Sequence, residues 1–363
     1  MNTFGKTIGL TIFGESHGLS IGAVLDGLPS GEAIDWDAVR AEMARRAPGK
    51  NKMSTARSEK DAFEVQSGFF NGHTTGTPLC AIIRNSDQHS RDYDQLRHIM
   101  RPGHADYSGK IRYGGFNDYR GGGHFSGRLT APLVFAGAVA SQILARHGIT
   151  VGSHILRLAG IADKPFDATG ETAETLQALK KETLPVLDKA QAGPMEEKIL
   201  EAKNDLDSVG GVIECMVTGL LAGIGDPFFD SVESQLSHMM FSVPAVKGIE
   251  FGDGFALADL RGSQTNDSFF YDGDTVKTRT NHNGGINGGI TNGMPVVFRL
   301  AVKPTASISQ KQETIDTDTK ENCDLVIKGR HDPCIVQRAI PVVEAAAAWA
   351  ILDVCLSEKG RCW

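Results

Sequence analysis

The sequence predicts an α/β fold built from two related halves, at about residues 1–150 and 208–340. Strand patterns rich in Thr, Ile and Val alternate with helical patterns along the chain. SVGGVIECMVTG, from Ser208, resembles SIGAVLDGLPSG, from Ser20, and a helix pattern with an acidic cap follows each. GITNGMPVVFRLAV, from Gly289, similarly resembles GHTTGTPLCAIIRN, from Gly72. We infer an internal duplication of a strand–helix–strand–strand unit; chance similarity among Gly-rich strand patterns is the alternative.

The elements of the first half follow from local signals. The stretch TIGLTIF at 7–13 predicts a strand that ends at Gly14 and is followed by a turn with Ser16 and His17. Further along the chain we expect a strand at 20–25, a helix at 37–46 capped by Asp35 or Asp37, strands at 63–70 and 77–85, and an apolar helix from Pro132 to about His147.

The second half is preceded by a charged segment. Residues 171–206 have a helical pattern, broken by Gly193 and Pro194, and we interpret them as a surface insert of helices. At the other end, an apolar helix is predicted from about Pro341.

Composition limits the classes of function. A chain of 363 residues can form one large or two smaller domains. The net charge of −7 argues against a broad nucleic-acid surface, and no apolar run approaches the 18 residues of a membrane span. The six cysteines lack the spacing of a zinc site or a disulfide framework, and no signal peptide is recognisable. We therefore expect a cytoplasmic protein with reduced thiols and without a metal site.

The stretch 101–128, RPGHADYSGKIRYGGFNDYRGGGHFSGR, is the main candidate for a site. It is rich in glycine and basic residues and has little apolar periodicity. A long Gly-rich surface loop is one interpretation. The other is an anion-binding wall, in which arginines bind carboxylate or phosphate and a histidine donates a proton. The chain contains no nucleophile elbow, P-loop or dinucleotide fingerprint, so a small polyanion is the expected ligand.

A set of motifs gives the chain a family resemblance. In order along the chain these are GESHG at 14–18, RPGHADY at 101–107, YRGGG with SGR at 119–128, GDGF at 252–255, LRGSQ at 260–264, NGGI with GGI at 283–290, KPT at 303–305 and GRHDPC at 329–334. By these motifs the chain resembles the chorismate synthase family over essentially its whole length.

The resemblance implies a fold, an assembly and a reaction. The fold would be a single large domain, residues 1–363, with a β-α-β sandwich core, assembled as a homotetramer with FMN near subunit contacts. The reaction would be a trans-1,4 elimination of phosphate from 5-enolpyruvylshikimate 3-phosphate, giving chorismate in the shikimate pathway. The family requires reduced FMN although the reaction has no net redox change. Whether the enzyme reduces its flavin with NADPH or depends on a separate flavin reductase stays open.

The resemblance also assigns roles to residues. His104 matches the histidine proposed to protonate the departing phosphate, His17 the one proposed to act on the reduced flavin, and Asp332 the carboxylate proposed to assist proton removal at flavin N5. The positions that match substrate ligands are Ser16, Arg46, Lys52, Arg101, Ser126, Arg128 and Arg338. The positions that match flavin contacts are His124, Phe125, Ser126, Pro244, Ala245, Gly288, Lys303, Pro304, Thr305, Ala306, Ser307 and Arg330.

The chain departs from the family pattern at several of these positions. Many members have RGGGRSSARET where this chain has RGGGHFSGRLT, so His124, Phe125 and Leu129 are changes. Ala47 stands where RRRPG has a third arginine, and Lys52 where an arginine is common. Lysine keeps the charge but loses the bidentate fork of arginine. Phe125 either packs on the flavin ring or belongs to ordinary packing.

Two rival functions follow from the same residues. A flavin reductase or related flavoprotein would use the same pocket without forming chorismate. A non-catalytic polyanion-binding protein would keep the basic residues, but it would be expected to have lost His17, His104 or Asp332, and all three are present.

Overall fold

Two antiparallel five-stranded sheets enclose a layer of helices. The computed structural model describes residues 1–49, 52–53, 61–85, 96–327 and 331–357. With strands numbered in chain order, the first sheet contains β1 (Thr3–Phe4), β2 (Gly9–Gly14), β3 (Ser20–Asp26), β4 (Phe63–Ser67) and β7 (Leu79–Arg84). The second contains β8 (Thr150–Leu158), β9 (Ile161–Ala162), β10 (Gly211–Thr218), β11 (Val246–Phe251) and β16 (Val296–Val302).

The remaining strands form two-stranded hairpins on the periphery of these sheets. They are β5 (Phe69–Phe70) with β6 (His73–Thr74), β12 (Phe269–Asp272) with β13 (Thr275–Thr278), β14 (Ile286–Asn287) with β15 (Ile290–Thr291), and β17 (Lys311–Asp316) with β18 (Glu321–Val326). The helices are α1 (Trp36–Arg46), α2 (Asp106–Arg112), α3 (Thr130–Arg146), α4 (Ala173–Leu179), α5 (Ala192–Asn204), α6 (Val232–Met240), α7 (Gly262–Thr265) and α8 (Val336–Ser357).

The two sheets have corresponding strand orders. The first runs β1-β2-β3-β7-β4 and the second β11-β16-β10-β8-β9, so β2-β3-β7-β4 corresponds to β8-β10-β16-β11. A short helix follows β3 and β10, and a long apolar helix, α3 or α8, ends each unit. The predicted fold class, an α/β sandwich of two related halves in one domain, is confirmed. The boundaries 1–150 and 208–340 stay a prediction, and β8 precedes the second of these ranges.

The core lies where α3 and α8 cross between the sheets. α3 packs on β2, β3 and β7 of the first sheet, and α8 packs on β8 and β10 of the second. Phe135 and Trp349 are among the largest fully buried side chains. Gly127–Arg146 and Val336–Ser357 are long and apolar enough to cross a membrane, but 78% and 94% of their apolar windows are buried inside the protein. Such burial is typical of core helices.

One predicted helix cap is present, and one predicted strand needs correction. Asp35 does cap α1, because its side chain accepts hydrogen bonds from the backbone N–H groups of residues 37 and 38. The strand predicted at 63–70 is interrupted at Gly68, where the backbone φ is +80° and an added Cβ would lie 2.3 Å from the Cα of Leu79.

Two predicted helix boundaries are also wrong. Gly193 and Pro194 do not break the insert helix but lie in the first turn of α5, where proline is tolerated because that N–H has no partner within the helix. The C-terminal helix begins at Val336 rather than near Pro341, and Pro341 lies inside it at the loss of one backbone hydrogen bond.

Candidate active site

The Gly-rich stretch 101–128 is a folded connection into α3 rather than a loose surface loop. It contains α2, a kinked segment at Arg120–Phe125 in which three glycines have non-helical backbone angles, and the start of a short 3-10 turn, Gly127–Leu129. Gly121 and Gly122 have positive φ angles of 59° and 85°. An added Cβ would lie 2.2 Å from Cε1 of His17 at Gly121, and 3.2 Å from Cε1 of His104 at Gly122. The glycine backbone therefore packs directly against both histidines, which a larger residue would prevent.

His104 is held by a carboxylate that the sequence reading missed. Its Nδ1 lies 2.7 Å from Oδ1 of Asp106. The same carboxylate accepts hydrogen bonds from Arg101, through Nε to Oδ2 at 2.7 Å and through Nη2 to Oδ1 at 2.8 Å. Burial alone would raise the pKa of Asp106, but the hydrogen bonds and charges of Arg101 and His104 outweigh it and hold the pKa well below its ordinary value. Asp106 is therefore a permanent anion between two site residues.

Ser16 and His17 form a second buried pair on the other side of the glycines. Ser16 is fully buried and His17 is 4% exposed. The Ser16 hydroxyl lies 3.1 Å from Nδ1 of His17 and 3.2 Å from the carbonyl oxygen of Gly121. This turn follows β2, as predicted, and its geometry is fixed by the backbone of the glycine segment.

Three predicted substrate ligands form one basic cluster. Arg46 donates to Oδ2 of Asp61 at 2.8 Å, and Arg128 donates to the other carboxylate oxygen. Both arginines are 3% exposed and the Asp61 side chain is fully buried. Arg338 forms an ion pair with Asp332, and its Nε donates to the backbone oxygen of Arg46 at 3.2 Å. Cations of α1, of the segment before α3 and of α8 thus lie close together, Arg46 and Arg128 through the Asp61 carboxylate and Arg338 through the backbone oxygen of Arg46.

Two adjoining cavities open onto these residues. The smaller, of about 220 Å³, is lined by Arg46, Arg128 and Arg338 among others. The larger, of about 690 Å³, is lined by the backbone and side chains of 103–105, 124–127, 243–246 and 303–306, together with apolar residues of β1, β2 and α3. The two share Ser126, Gly127, Thr130, Val243, Pro244, Asp332 and Ile335. A basic chamber therefore meets a larger one along a shared wall that includes Ser126 and Asp332.

Most of the predicted flavin contacts line the larger cavity. They are His124, Phe125, Ser126, Pro244, Ala245, Lys303, Pro304, Thr305 and Ala306. Lys303 donates from its backbone N–H to the Ala245 oxygen at 2.9 Å and from its ammonium group to Gly103, which ties three of the lining segments together. Phe125 lines the cavity but also packs on Gly109, where an added Cβ would lie 2.6 Å from its ring.

The cavity fits a flavin cofactor in size and in its polar groups. About 690 Å³ lies within the roughly 300–1,000 Å³ that ligand sites usually have. The buried hydroxyl of Thr305 has no hydrogen-bond partner within the described residues, and the Lys303 ammonium group lies beside the same wall. These groups could hold an anionic tail, while the apolar lining could cover a planar ring. Across the described ranges, no cluster of three or more His, Cys, Asp or Glu side chains is arranged to hold a metal ion.

Several predicted site residues within the described ranges line neither cavity, and Ser16, His17 and Arg101 are among them. Ser307 is buried behind the site, where its hydroxyl accepts from Nη1 of Arg101 at 3.2 Å. Lys52 is exposed, and Gly288 lies in the turn between β14 and β15; neither lines these two cavities. Arg330 lies outside the described residues. The roles assigned to these residues stay predictions.

The sequence reading missed the two carboxylates that organise the cations. Asp106 could have been noticed, because it follows His104 by two residues in RPGHADY. Asp61 gave no local signal, since it is 15 residues from Arg46 and 67 from Arg128. His331, next to Asp332, was also left without a role: burial, with the nearby charge of Arg101, lowers its pKa, so it stays neutral near Arg101.

Comparisons with known proteins identify the family of the chain. The family model described as chorismate synthase matches residues 8–356. The chain is 45% identical over 355 residues to the chorismate synthase of Dehalococcoides mccartyi strain BAV1, covering 98% of this chain and 96% of the relative. It is 45% identical over 359 residues to that of Chitinophaga pinensis, covering 99% and 98%. A crystal structure of chorismate synthase superposes with a TM-score of 0.77 at 27% identity, covering 99% of this chain and 95% of the other. The chain therefore belongs to the chorismate synthase family.

Proposed function

We propose that this lyase eliminates phosphate from 5-enolpyruvylshikimate 3-phosphate to give chorismate, as a step of the shikimate pathway. The observation that carries the proposal is the junction of the two cavities, where a basic chamber meets a chamber of flavin size. The substrate has one phosphate and two carboxylates, and Arg46, Arg128 and Arg338 present guanidinium groups that match such anions.

The proposed roles divide between the two chambers. Ser126 and Asp332 line both, so a substrate at the junction would touch the cations on one side and the flavin on the other. His104 lines the larger chamber, and we assign it the proton that the leaving phosphate takes. Asp332 keeps the role of assisting proton removal at the flavin. His17 keeps the role of hydrogen bonding to the flavin.

Reduced FMN would occupy the larger chamber. When bound, it supplies electron density as the carbon–oxygen bond breaks and recovers it when the hydrogen leaves carbon 6. The residues at 303–306 and 124–126 would hold the flavin, and the apolar side chains of β1, β2 and α3 would keep water from its ring. We further propose a cytoplasmic homotetramer whose flavin is reduced either by NADPH or by a separate reductase.

The test is an anaerobic assay with 5-enolpyruvylshikimate 3-phosphate and chemically reduced FMN. The expected product is chorismate, detected by its absorbance and by chromatography, together with one equivalent of phosphate. His104→Ala should retain flavin binding and nearly abolish phosphate release, while His73→Ala, an exposed histidine away from both cavities, should not change the rate. NADPH oxidation without chorismate would instead identify a flavin reductase. A parallel reaction with NADPH as the only reductant decides whether a separate reductase is needed.

A further inference from the structure

The Asp106 carboxylate binds two site residues at once. Its Oδ1 lies 2.7 Å from Nδ1 of His104 and 2.8 Å from Nη2 of Arg101, while its Oδ2 accepts from Nε of Arg101 at 2.7 Å and from the Arg101 backbone N–H at 3.1 Å. The side chain is 7% exposed. Asp106 is also in the first turn of α2, where a negative charge is favoured.

Nδ1 of His104 has two possible partners that demand opposite states of the ring. Nη2 of Arg101 lies 3.1 Å away and can only donate, whereas the carboxylate of Asp106 can only accept. Nδ1 can accept from Arg101 or donate to Asp106, but not both. The contact to Asp106 is the shorter one, and Arg101 already directs Nε and Nη2 at the same carboxylate. Nδ1 therefore carries a proton.

We propose that Asp106 is a positioning residue that keeps the proton of neutral His104 on Nδ1 and leaves Nε2 to exchange protons with the substrate. The inference rests on the proposed function for its catalytic meaning, but not for the state of the ring. Within the described part of the chain Nε2 has no hydrogen-bond partner, and His104 lines the larger cavity. Gly122, whose added Cβ would lie 3.4 Å from Nε2, leaves space beside that atom.

The proton balance of the step follows from this arrangement. The charged ring donates from Nε2 to the phosphate oxygen as the carbon–oxygen bond breaks, and it becomes neutral with the Nδ1 proton retained. Solvent then returns a proton to Nε2. The charged form is stabilised by the Asp106 anion, and without Asp106 it would face only the charge of Arg101. In a variant that lacks the carboxylate, Nδ1 would accept from Arg101 and the proton of the neutral ring would move to Nε2.

The other charged groups around His104 do not replace Asp106. The larger cavity is lined by His124, His238, Lys303, Asp332 and Met1 in addition to His104. Of these, only Asp332 is an anion, and it is paired with Arg338. His331 is also near Arg101. Burial and the charge of Arg101 lower the pKa of His331, so His331 supplies no negative charge there. Among the described residues, Asp106 is thus the carboxylate within hydrogen-bonding distance of His104.

The test is the ¹⁵N spectrum of protein labelled at histidine, recorded above the titration of the ring, with His104→Ala to assign the signal. In the wild type, Nδ1 of His104 should be the protonated nitrogen and Nε2 the bare one. Asp106→Leu, close in size but without an acceptor, should reverse the two, and Asp106→Glu should restore the wild-type pattern at least in part. Asp318→Leu, which removes an exposed carboxylate paired with Lys110 of α2, is the matched control and should leave the signal unchanged.

The kinetic readout separates positioning from mere stability. Asp106→Leu should lower kcat about 10²-fold, which is within the usual effect of a general acid. Flavin binding should not change. If the neutral His104 ring of the wild type carries its proton on Nε2, the proposal is overturned. This measurement does not depend on whether the Leu variant folds. The expected ¹⁵N pattern in a protein that forms no chorismate would support the positioning and overturn the proposed function instead.

Discussion

At the scale of single residues, buried carboxylates decide where the cations of the site lie. Asp61 joins Arg46 of α1 to Arg128 of the segment before α3, and all three side chains are almost fully removed from water. Burying two like charges close together is unfavourable unless a shared anion compensates them. Asp61 therefore contributes to both the stability of the fold and the geometry of the smaller cavity.

Asp61→Asn is expected to destabilise the protein by about 3 kcal/mol, because two buried guanidinium groups lose the carboxylate that they share. Asn is suited to the comparison since Asp61 has a φ of 48°, in the left-handed region that Asn also tolerates. The measurement is urea unfolding, with Asp318→Asn, an exposed ion-pair partner, as the control. Equal midpoints for the two variants would show that Asp61 does not act as the shared counterion.

A second buried cluster of ionisable residues includes strand residues of the second sheet and does not line either cavity. His154 is fully buried and contacts Oδ2 of Asp163 at 3.1 Å and Oε2 of Glu214 at 2.9 Å. Burial alone would lower the pKa of His154, but its hydrogen bonds to the two carboxylates outweigh burial and raise it. The same contacts lower the pKa values of Asp163 and Glu214 against the effect of burial.

This cluster predicts a dependence of stability on pH. A raised pKa in the folded state means that the contribution of His154 is fully present below about 6.5, its value in the unfolded chain, and is lost as pH rises through the folded pKa. The free energy of unfolding should therefore fall above pH 6.5, and His154→Gln should remove that fall. The check is urea unfolding at several pH values from 6 to 9. Parallel curves for the two proteins would contradict this account.

The motifs pointed to residues that line the cavities, but not to the contacts between them. Fixed spacing in RPGHADY and KPT was enough to nominate His104 and Lys303, and both line the larger cavity. Asp61 could not be found in this way, because its partners come from different helices and meet only after folding. Lys52 also matches a substrate-ligand position, but it is exposed and lines neither cavity, so its role stays a prediction.

At the scale of elements, the packing of α3 on α8 depends on one small residue. An added Cβ at Gly137 of α3 would lie 2.2 Å from the Cα and 2.5 Å from the backbone oxygen of Ala345. Backbone atoms cannot move aside as a flexible side chain can, so the helices would have to separate. Because each helix packs on its own sheet, such a separation would be felt in both halves of the core.

Gly137→Ala is therefore expected to destabilise the protein by at least about 2 kcal/mol, although alanine is intrinsically the better helix former by about 1 kcal/mol. Gly193→Ala in α5 is the matched control, since an added Cβ there meets nothing within 4 Å. The control should be neutral or slightly stabilising. The measurement is the thermal midpoint of each variant. A stabilised Gly137→Ala would mean that the two helices can relax apart without loss.

Sequence patterns predicted the long elements because apolar periodicity fixes their type locally. They did not predict the ends of those elements where the fold accommodates a residue, such as proline, that usually interrupts a helix. Pro194, in the first turn of α5, and Pro341, inside α8, are the residues that the pattern marked as boundaries. The strand break at Gly68 likewise depends on contact with Leu79, which is distant in the sequence.

At the scale of the whole molecule, the described surface carries several isolated aromatic groups. Phe116 is 94% exposed, Phe228 is 90% exposed and Phe229 is 89% exposed. They lie in connections after α2 and before α6, and Phe255 and Tyr271 add further exposed rings in the second half. Single exposed apolar residues are common, so these rings alone do not define an interface, but an assembly that covers them would remove them from water.

The family resemblance implies a homotetramer, and we predict this assembly in solution. A symmetric tetramer with two-fold axes has more than one kind of interface per subunit, so it would cover apolar groups at several separate places, whereas a dimer would cover one. Sedimentation velocity should give four times the chain mass of 38.9 kDa, with the flavin present and absent. Dilution should split the tetramer before the subunit unfolds if the interfaces are weaker than the core. A monomer at micromolar concentration would leave these rings in water and would contradict the assembly.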